Sequence, residues 1–258
     1  MSGEPVLPPL WQDLEFLSPV SDARADDLAA WVAAGLVDGG TVLDVGCGWA
    51  ELLLRVLEAA PRARGVGVDL DADRVAEGRS RASARGLGDR VDLVAGPGRE
   101  VAPGPVEALL VLGSSQVWGP DVEEGLPLDY AAALRAMRGH VVPGARVLYA
   151  EAVWSAPPTP AAVAPLSGRD DEFLAPAALA ALVADHGFSV RSVEEADLEE
   201  WDAFESGFVA RQERWLAAHP ADHPGAVEVA AAAHSQRTAY AEGYRGVLGF
   251  AFLRLVAV

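Results

Sequence analysis

The tightest constraint on this chain is the stretch Thr41-Val-Leu-Asp-Val-Gly-Cys-Gly-Trp-Ala-Glu51. Its apolar, β-branched start, Thr41 to Val45, has the composition of a strand buried on both faces. The run halts at Gly46-Cys47-Gly48, and Ala50-Glu51-Leu52-Leu53-Leu54 begins a helix at once. Strand, glycine turn and helix form the opening unit of a doubly wound α/β sheet, which offers ligands the carboxyl end of its first strand. Gly46 and Gly48 allow a sharp turn and let a ligand press against the backbone.

The residues around the glycines narrow the ligand. A phosphate cradle needs G-x-x-x-x-G-K-[ST], and no lysine follows here. A dinucleotide loop needs G-x-G-x-x-G, whose third glycine lets helix and strand pack closely. This chain has Glu51 at that third position, and acidic Asp44 just before the turn. A carboxylate there suits a helix N-terminus but repels a pyrophosphate. The segment resembles the glycine loop of class I S-adenosylmethionine (SAM)-dependent methyltransferases, whose ligand is a phosphate-free adenosyl sulfonium. From the loop alone, any strand–turn–helix with two glycines stays open. The resemblance implies a Rossmann-like methyltransferase fold: a doubly wound, mostly parallel, seven-stranded sheet with an antiparallel last strand. It also implies SAM as cofactor and S-adenosylhomocysteine (SAH) as product.

Composition removes several function classes. At 258 residues, 51% of them hydrophobic, the chain can bury one large core or two small ones. No apolar run approaches the ~20 residues of a membrane span, so no membrane partner is expected. No basic-then-apolar leader is visible at the start. The lone cysteine, Cys47, argues against a disulfide framework and for a cytoplasmic protein. A formal net charge of −18 repels a phosphate backbone, so nucleic acid is not expected as substrate. Every Lys/Arg position is arginine, which excludes a Schiff-base lysine and a Tyr-x-x-x-Lys oxidoreductase pair. Cysteine and the five histidines are scattered, so no metal site is expected. Asp69, Asp71 and Asp73 alternate like a calcium loop but lack its glycine.

Along the chain, Leu10 to Leu17 carries apolar residues at helical spacing, with Trp11 and Phe16 as candidates for an acceptor lid. Ser21-Asp22 reads as the cap of the next helix. A second strand, Gly65 to Asp69, ends in an acid roughly twenty residues past the loop, where a carboxylate accepts from ribose hydroxyls. Leu70 follows it, and Asp71 caps the helix Asp73 to Arg85. The third strand is Val91 to Ala95. The resembling family places an acid soon after it, near the adenine amino group; Pro97 stands there instead, which either weakens that contact or hands it to backbone at Gly98. The fourth strand, Pro105 to Leu112, opens into Gly113-Ser-Ser-Gln-Val-Trp-Gly119. Gly113 and Ser114 are expected beside the methionine part of the cofactor, and Gln116 and Trp118 toward the acceptor. A helix is expected over Leu126 to Met137, and His140 in a Pro-Gly turn before the fifth strand, Arg146 to Glu151.

Glu151 and Trp154, at the end of that strand, are the acceptor-site pair, with Glu151 as base or orienter. The competing reading is a core-closing tryptophan and an arginine-paired glutamate. Trp49, Trp118 and Trp154 are further candidates to face the sulfonium. Thr159-Pro160 reads as cap and first residue of a short helix. Helix Pro176 to His186 precedes the sixth strand, Ser189 to Glu195. The last strand is Val247 to Val256, and about fifty residues separate the two, too many for an idle loop. Glu199 to Leu216 and Gly225 to Tyr244 read as an inserted helical pair. With Trp201 it is expected either to form the acceptor pocket or to act as a homodimer arm. The full length also resembles a poorly characterised bacterial branch of small-molecule methyltransferases, through Glu151-x-x-Trp154 followed by Pro-x-Thr-Pro, Trp201-Asp-x-Phe-Glu205 and Arg214-Trp-Leu216.

These readings give one domain: an N-terminal helical cap (1–38), a SAM-binding core (39–196), the helical insertion (197–246) and the last strand (247–258). Cofactor contacts are expected from Asp44, Gly46, Cys47, Gly48, Asp69, Leu70, Gly98, Gly113 and Ser114. Acceptor contacts are expected from Trp11, Phe16, Gln116, Trp118, Trp154 and Trp201, with Glu151 catalytic. The expected function is methyl transfer from SAM to nitrogen or oxygen of a small molecule, as in specialised metabolism. The alternatives are a non-catalytic SAM- or SAH-binding protein and an NAD(P)-dependent oxidoreductase.

Overall fold

The computed structural model describes residues 5–36, 39–101, 104–119, 126–166 and 168–258. The chain forms two compact units. The sheet unit comprises Ser21–Trp154, Asp171–Glu195 and Gly249–Val258. The helical unit comprises Met1–Val20, Ser155–Asp170 and Ala196–Leu248.

The sheet unit is built on seven strands: β1 (Gly40–Val45), β2 (Ala63–Asp69), β3 (Val91–Ala95), β4 (Val106–Leu112), β5 (Val141–Trp154), β6 (Phe188–Glu195) and β7 (Leu248–Ala257). Their order is β3-β2-β1-β4-β5-β7-β6. The pairs β1–β2, β1–β4, β2–β3 and β4–β5 are parallel, and β6–β7 is antiparallel. The order reverses at β1, between β2 and β4, and Val45 lies in register with both Val68 and Val111. Their carboxyl ends therefore open together at the topological switch point, where ligands of such sheets bind. The core is apolar. Leu43, Leu109, Leu110, Leu134, Tyr149 and Phe252 are fully buried within it.

Among the described residues, five helices flank the sheet: α1 (Asp22–Ala33), α2 (Glu51–Ala59), α3 (Ala72–Ala84), α4 (Tyr130–His140) and, after the short α5 (Pro160–Val163) of the other unit, α6 (Pro176–Asp185). Several expected caps are present. Ser21 accepts from Arg24 N, Asp71 from Asp73 N and Arg74 N, and Thr159 from Ala162 N. Two elements differ from expectation. Leu126 lies outside α4, because the residue before Pro127 is pushed from helical geometry and Asp129 caps the helix by accepting from Ala132 N at 2.9 Å. The same helix runs on to His140, and β5 starts at Val141, through Pro143-Gly144. The β4–β5 register jumps between Val106↔Val141 and Ala108↔Arg146, so the Pro-Gly pair is absorbed as a bulge instead of a turn.

In the helical unit, α7 (Leu198–Ala218) opens with a full capping box between Asp197 and Glu200. It packs against α8 (Ala226–Thr238), which continues as a π-helical turn, Ala239–Tyr244. Leu10 to Leu17 is not a helix. Only a 3-10 turn, Leu10–Gln12, forms between Pro9 and Ser18-Pro19, and the buried side chains alternate as Leu14 and Phe16.

Candidate functional site

The loop after β1 is fixed by backbone contacts that only its sequence permits. Gly46 and Cys47 donate to Val68 O at 2.8 and 3.0 Å, lashing the turn to the end of β2. Gly46 (φ +78°) has no room for a side chain, since a Cβ would lie 2.5 Å from Ser114 Cβ. At Gly48 (φ +54°) the opposite holds: the residue is buried, yet an added Cβ would meet nothing within 4 Å, so room is left beside the backbone. Ala50 is also left-handed, at φ +60°. That conformation costs a non-glycine residue about 1–2 kcal/mol, a strain of the kind found at ligand sites.

Asp69 holds this geometry. Its Oδ2 accepts from Gly48 N at 2.8 Å and its Oδ1 from Asp71 N at 2.9 Å. One carboxylate thus ties the glycine loop to the start of α3, and each oxygen keeps a second acceptor position. Leu70 beside it is 75% exposed. Gly98 is buried, because a Cβ there would lie 2.9 Å from Val45 Cγ1 and 3.0 Å from Val117 Cγ1. Asp44 is buried too, and desolvation, then the neighbouring Asp69 charge, pushes its carboxyl up to about 8. Burial and the same two acids push the Cys47 thiol far up, which makes it inert.

The loop after β4 is clamped from both sides by adjacent serines. Ser114 Oγ donates to Val45 O at 2.6 Å, on the β1 side. Ser115 donates to Glu151 Oε2 from its hydroxyl at 2.6 Å and from its amide at 3.3 Å, on the β5 side. Ser115 Oγ also meets the Tyr149 hydroxyl at 2.8 Å. Glu151 Oε1 accepts from Ala152 N at 3.0 Å. The glutamate is therefore a buried anchor, with no arginine or histidine on it among the described residues. Burial raises its pKa, against the hydrogen bonds from Ser115 and Ala152. On the solvent side of the loop, Gln116 is exposed and its amide donates to Gly113 O at 3.2 Å. Trp118 is half-buried, 6.2 Å from the His140 ring. Trp154 is buried, edge-on to Phe173 at 5.5 Å.

Asp44, Gly46, Cys47, Gly48, Asp69, Leu70, Gly98, Gly113, Ser114, Gln116, Trp118, Glu151 and Trp154 all belong to the sheet unit. Trp49 does not face the loop's open side: it is 2% exposed, with the Arg81 guanidinium 5.8 Å over its ring. Trp11, Phe16 and Trp201 belong to the helical unit. There Trp201 is buried, edge-on to Phe204 and Tyr244. Ser115 and Tyr149 were missed in the sequence, although Tyr149 and Glu151 stand two apart on one strand and so share a face. Among the described residues no cluster of three or more metal-ligating side chains occurs, and no helix is long and apolar enough to cross a membrane.

This donor set fits an adenosyl sulfonium. It offers a carboxylate with free lone pairs, glycine backbone with room beside it and an exposed leucine. Acids flank the loop where a pyrophosphate would need donors or cations.

A methyltransferase-domain family model matches residues 42–144. The solved SAM-dependent methyltransferases from Geobacter sulfurreducens and Thiobacillus denitrificans, each crystallised with SAH, are both 26% identical to the chain. They superpose with TM-scores of 0.82 and 0.81, each over 96% of both chains. A trans-aconitate 2-methyltransferase from Azoarcus sp. (strain BH72) is 32% identical over 139 residues, 53% of this chain and 48% of that relative. The chain spans less than half the length of the curated relatives it matches. The sheet order, with its reversed last strand, and the carboxyl-edge site define a Rossmann-like methyltransferase fold. Residues 42–144 match the methyltransferase-domain family, and the chain shares the fold of class I SAM-dependent methyltransferases.

Proposed function

We propose that the chain transfers the methyl group of SAM to an oxygen or nitrogen of a small-molecule acceptor and releases SAH. The observation that carries this reading is the glycine loop, held by Asp69 and pressed by Ser114. The two neighbours crystallised with SAH support the cofactor, and the relative named for trans-aconitate supports a small acceptor. The net charge of −18 supports a small molecule over a nucleic acid, and the single cysteine a reducing compartment.

In this reading Asp69 takes the ribose hydroxyls, Leu70 and Gly98 flank the base, and Asp44, Gly46, Cys47, Gly48, Gly113 and Ser114 surround the amino-acid end. The bound cofactor supplies a methyl group already activated on a sulfonium. The chain's task is to orient the acceptor and exclude water. Alignment at ~3–3.5 Å supplies about 7–11 kcal/mol. Gln116, Trp118 and Trp154 are the acceptor contacts of the sheet unit. Glu151 acts as an orienter: its Oε2 is occupied by Ser115, so it fixes the loop on which Gln116 and Trp118 stand.

Calorimetric titration of the protein with SAM, SAH and NAD+, repeated on Asp69→Ala, tests the reading. Micromolar binding of both sulfur nucleotides, lost by at least tenfold in the variant and absent for NAD+, is expected. Binding of NAD+ alone, or of none of the three, would overturn it.

A further inference from the structure

The sheet unit treats its buried glutamates in two opposite ways. Glu51, at the start of α2, is surrounded by arginines: Arg55 Nε at 2.9 Å, Arg81 Nη1 at 3.0 Å and Arg85 Nη2 at 2.6 Å. Glu151, as deeply buried, has no cation on it among the described residues, only Ser115 and a backbone amide. Among the described residues, the charged and titratable groups that face it add no positive charge. They are Tyr149 on its own strand, Tyr130 on α4 and Glu172 before α6. Asp44, on the other side of the same rim, is also buried, with no cation on it among the described residues, and faces Asp69. An ionised carboxylate in such a place is costly unless a positive charge joins it.

The position of Glu151 says what that charge is. Glu151 grips Ser115, Ser114 grips the end of β1, and Ser114 presses on Gly46. Two adjacent residues thus separate the carboxylate from the glycine loop. SAM and SAH carry the same adenosine, ammonium and carboxylate, and differ in one charged feature: SAM has a sulfonium where SAH has a neutral thioether. We infer that Glu151 is the counter-charge for the sulfonium, and that it makes the site prefer the substrate form of the cofactor over the product form. The inference rests on the cofactor reading above and assigns its charge discrimination to one side chain. At a separation on the order of 10 Å and an effective dielectric of about 25 to 40, one charge changes an affinity by roughly fourfold to tenfold.

The test compares SAM and SAH affinities by calorimetry in the wild-type protein and three variants. Glu151→Gln removes the charge and keeps an oxygen for Ser115. Glu151→Met removes the charge with an apolar side chain of similar length, a replacement that buried ions often tolerate, and serves if the glutamine variant does not fold. Ser115→Ala keeps the charge and removes the hydroxyl anchor. The expected result is a several-fold to tenfold loss of SAM affinity in the neutral variants, with SAH affinity within twofold of wild type. Ser115→Ala should lower both affinities together. Parallel losses of SAM and SAH in the Glu151 variants would make the residue only an anchor and overturn the inference, as would no change in either. Failure of the wild-type protein to bind either nucleotide would instead sink the cofactor reading itself.

Discussion

Asp44 is the residue whose ionisation the fold tolerates least. Desolvation first, then the Asp69 charge, raises its carboxyl to about 8, from about 3.9 in an unfolded chain. A raised folded pKa means that the native state holds a proton which the unfolded state releases between those values. Asp44 therefore stabilises the ligand-free protein fully below about pH 4, and that contribution is lost as pH rises through about 8. Asp44→Asn abolishes the titration. Its melting temperature should exceed that of wild type by at least ~2–4 °C above pH 8, for a gain of about 1 kcal/mol, and the difference should vanish near pH 4. A constant gain at both ends would mean that Asp44 is ionised and solvated in the free protein. The same residue shows what sequence could reveal. Asp44 and Asp69 stood out because one is next to last and the other last in a short apolar strand, beside a glycine turn or a helix cap. The burial of Glu151 under Ser115 was not, because it depends on a β4–β5 pairing that brings together residues 36 positions apart.

At the scale of elements, the three-arginine grip on Glu51 joins the helices around the cofactor loop. Arg55 continues from Glu51 to Asp22 and Asp26 on α1, while Arg81 and Arg85 arrive from α3. Burial alone would raise the Glu51 pKa, but hydrogen bonds from Arg85, Arg55 and Arg81 outweigh it and leave the group below the ordinary glutamate range. A lowered folded pKa stabilises the protein above the unfolded value, and the contribution fades as pH falls through the folded one. Glu51→Ala removes the buried carboxylate that three guanidinium groups share, each of them at most about a quarter exposed. It should cost about 3 kcal/mol near neutral pH, measured by urea denaturation, and the penalty should shrink on acidification below about pH 4.5. A penalty independent of pH would assign the loss to packing. The pair Glu51–Arg55 is readable as an i,i+4 spacing on α2, whereas the arginines from α3 become partners only through the tertiary fold. Local chemistry likewise explains why the caps at Ser21, Asp71 and Thr159 were foreseen. The start of α4 and the bulged entry to β5 were misjudged because Asp129 and the β4 pairing outcompeted the apolar spacing on which the expectations rested.

For the whole molecule, the dominant electrostatic fact is 38 acidic side chains against 20 arginines. Ion pairs such as Arg237–Glu213 and Arg245–Asp202 are too exposed to offset the excess; pairs of this kind contribute roughly 0–1 kcal/mol each. The balance of −18 is spread over the compact native state and relaxes when the chain expands, so self-repulsion opposes folding. Salt screens that repulsion over a Debye length of about 10 Å at 0.1 M, but screens buried pairs such as the Glu51 grip far less. The two effects have opposite signs, and the net excess of acid, 38 side chains against 20 arginines, decides between them. Raising NaCl from about 10 mM to 0.5 M at pH 8 should therefore raise the melting temperature of the ligand-free protein by a few degrees, as expected for a gain of about 1 kcal/mol. Glu51→Ala should show at least the same rise, because the grip it lacks is the contact that salt weakens least. A melting temperature that falls with salt would mean that surface ion pairs outweigh the net charge, and that the arginines hold this acidic chain together more tightly than their number suggests.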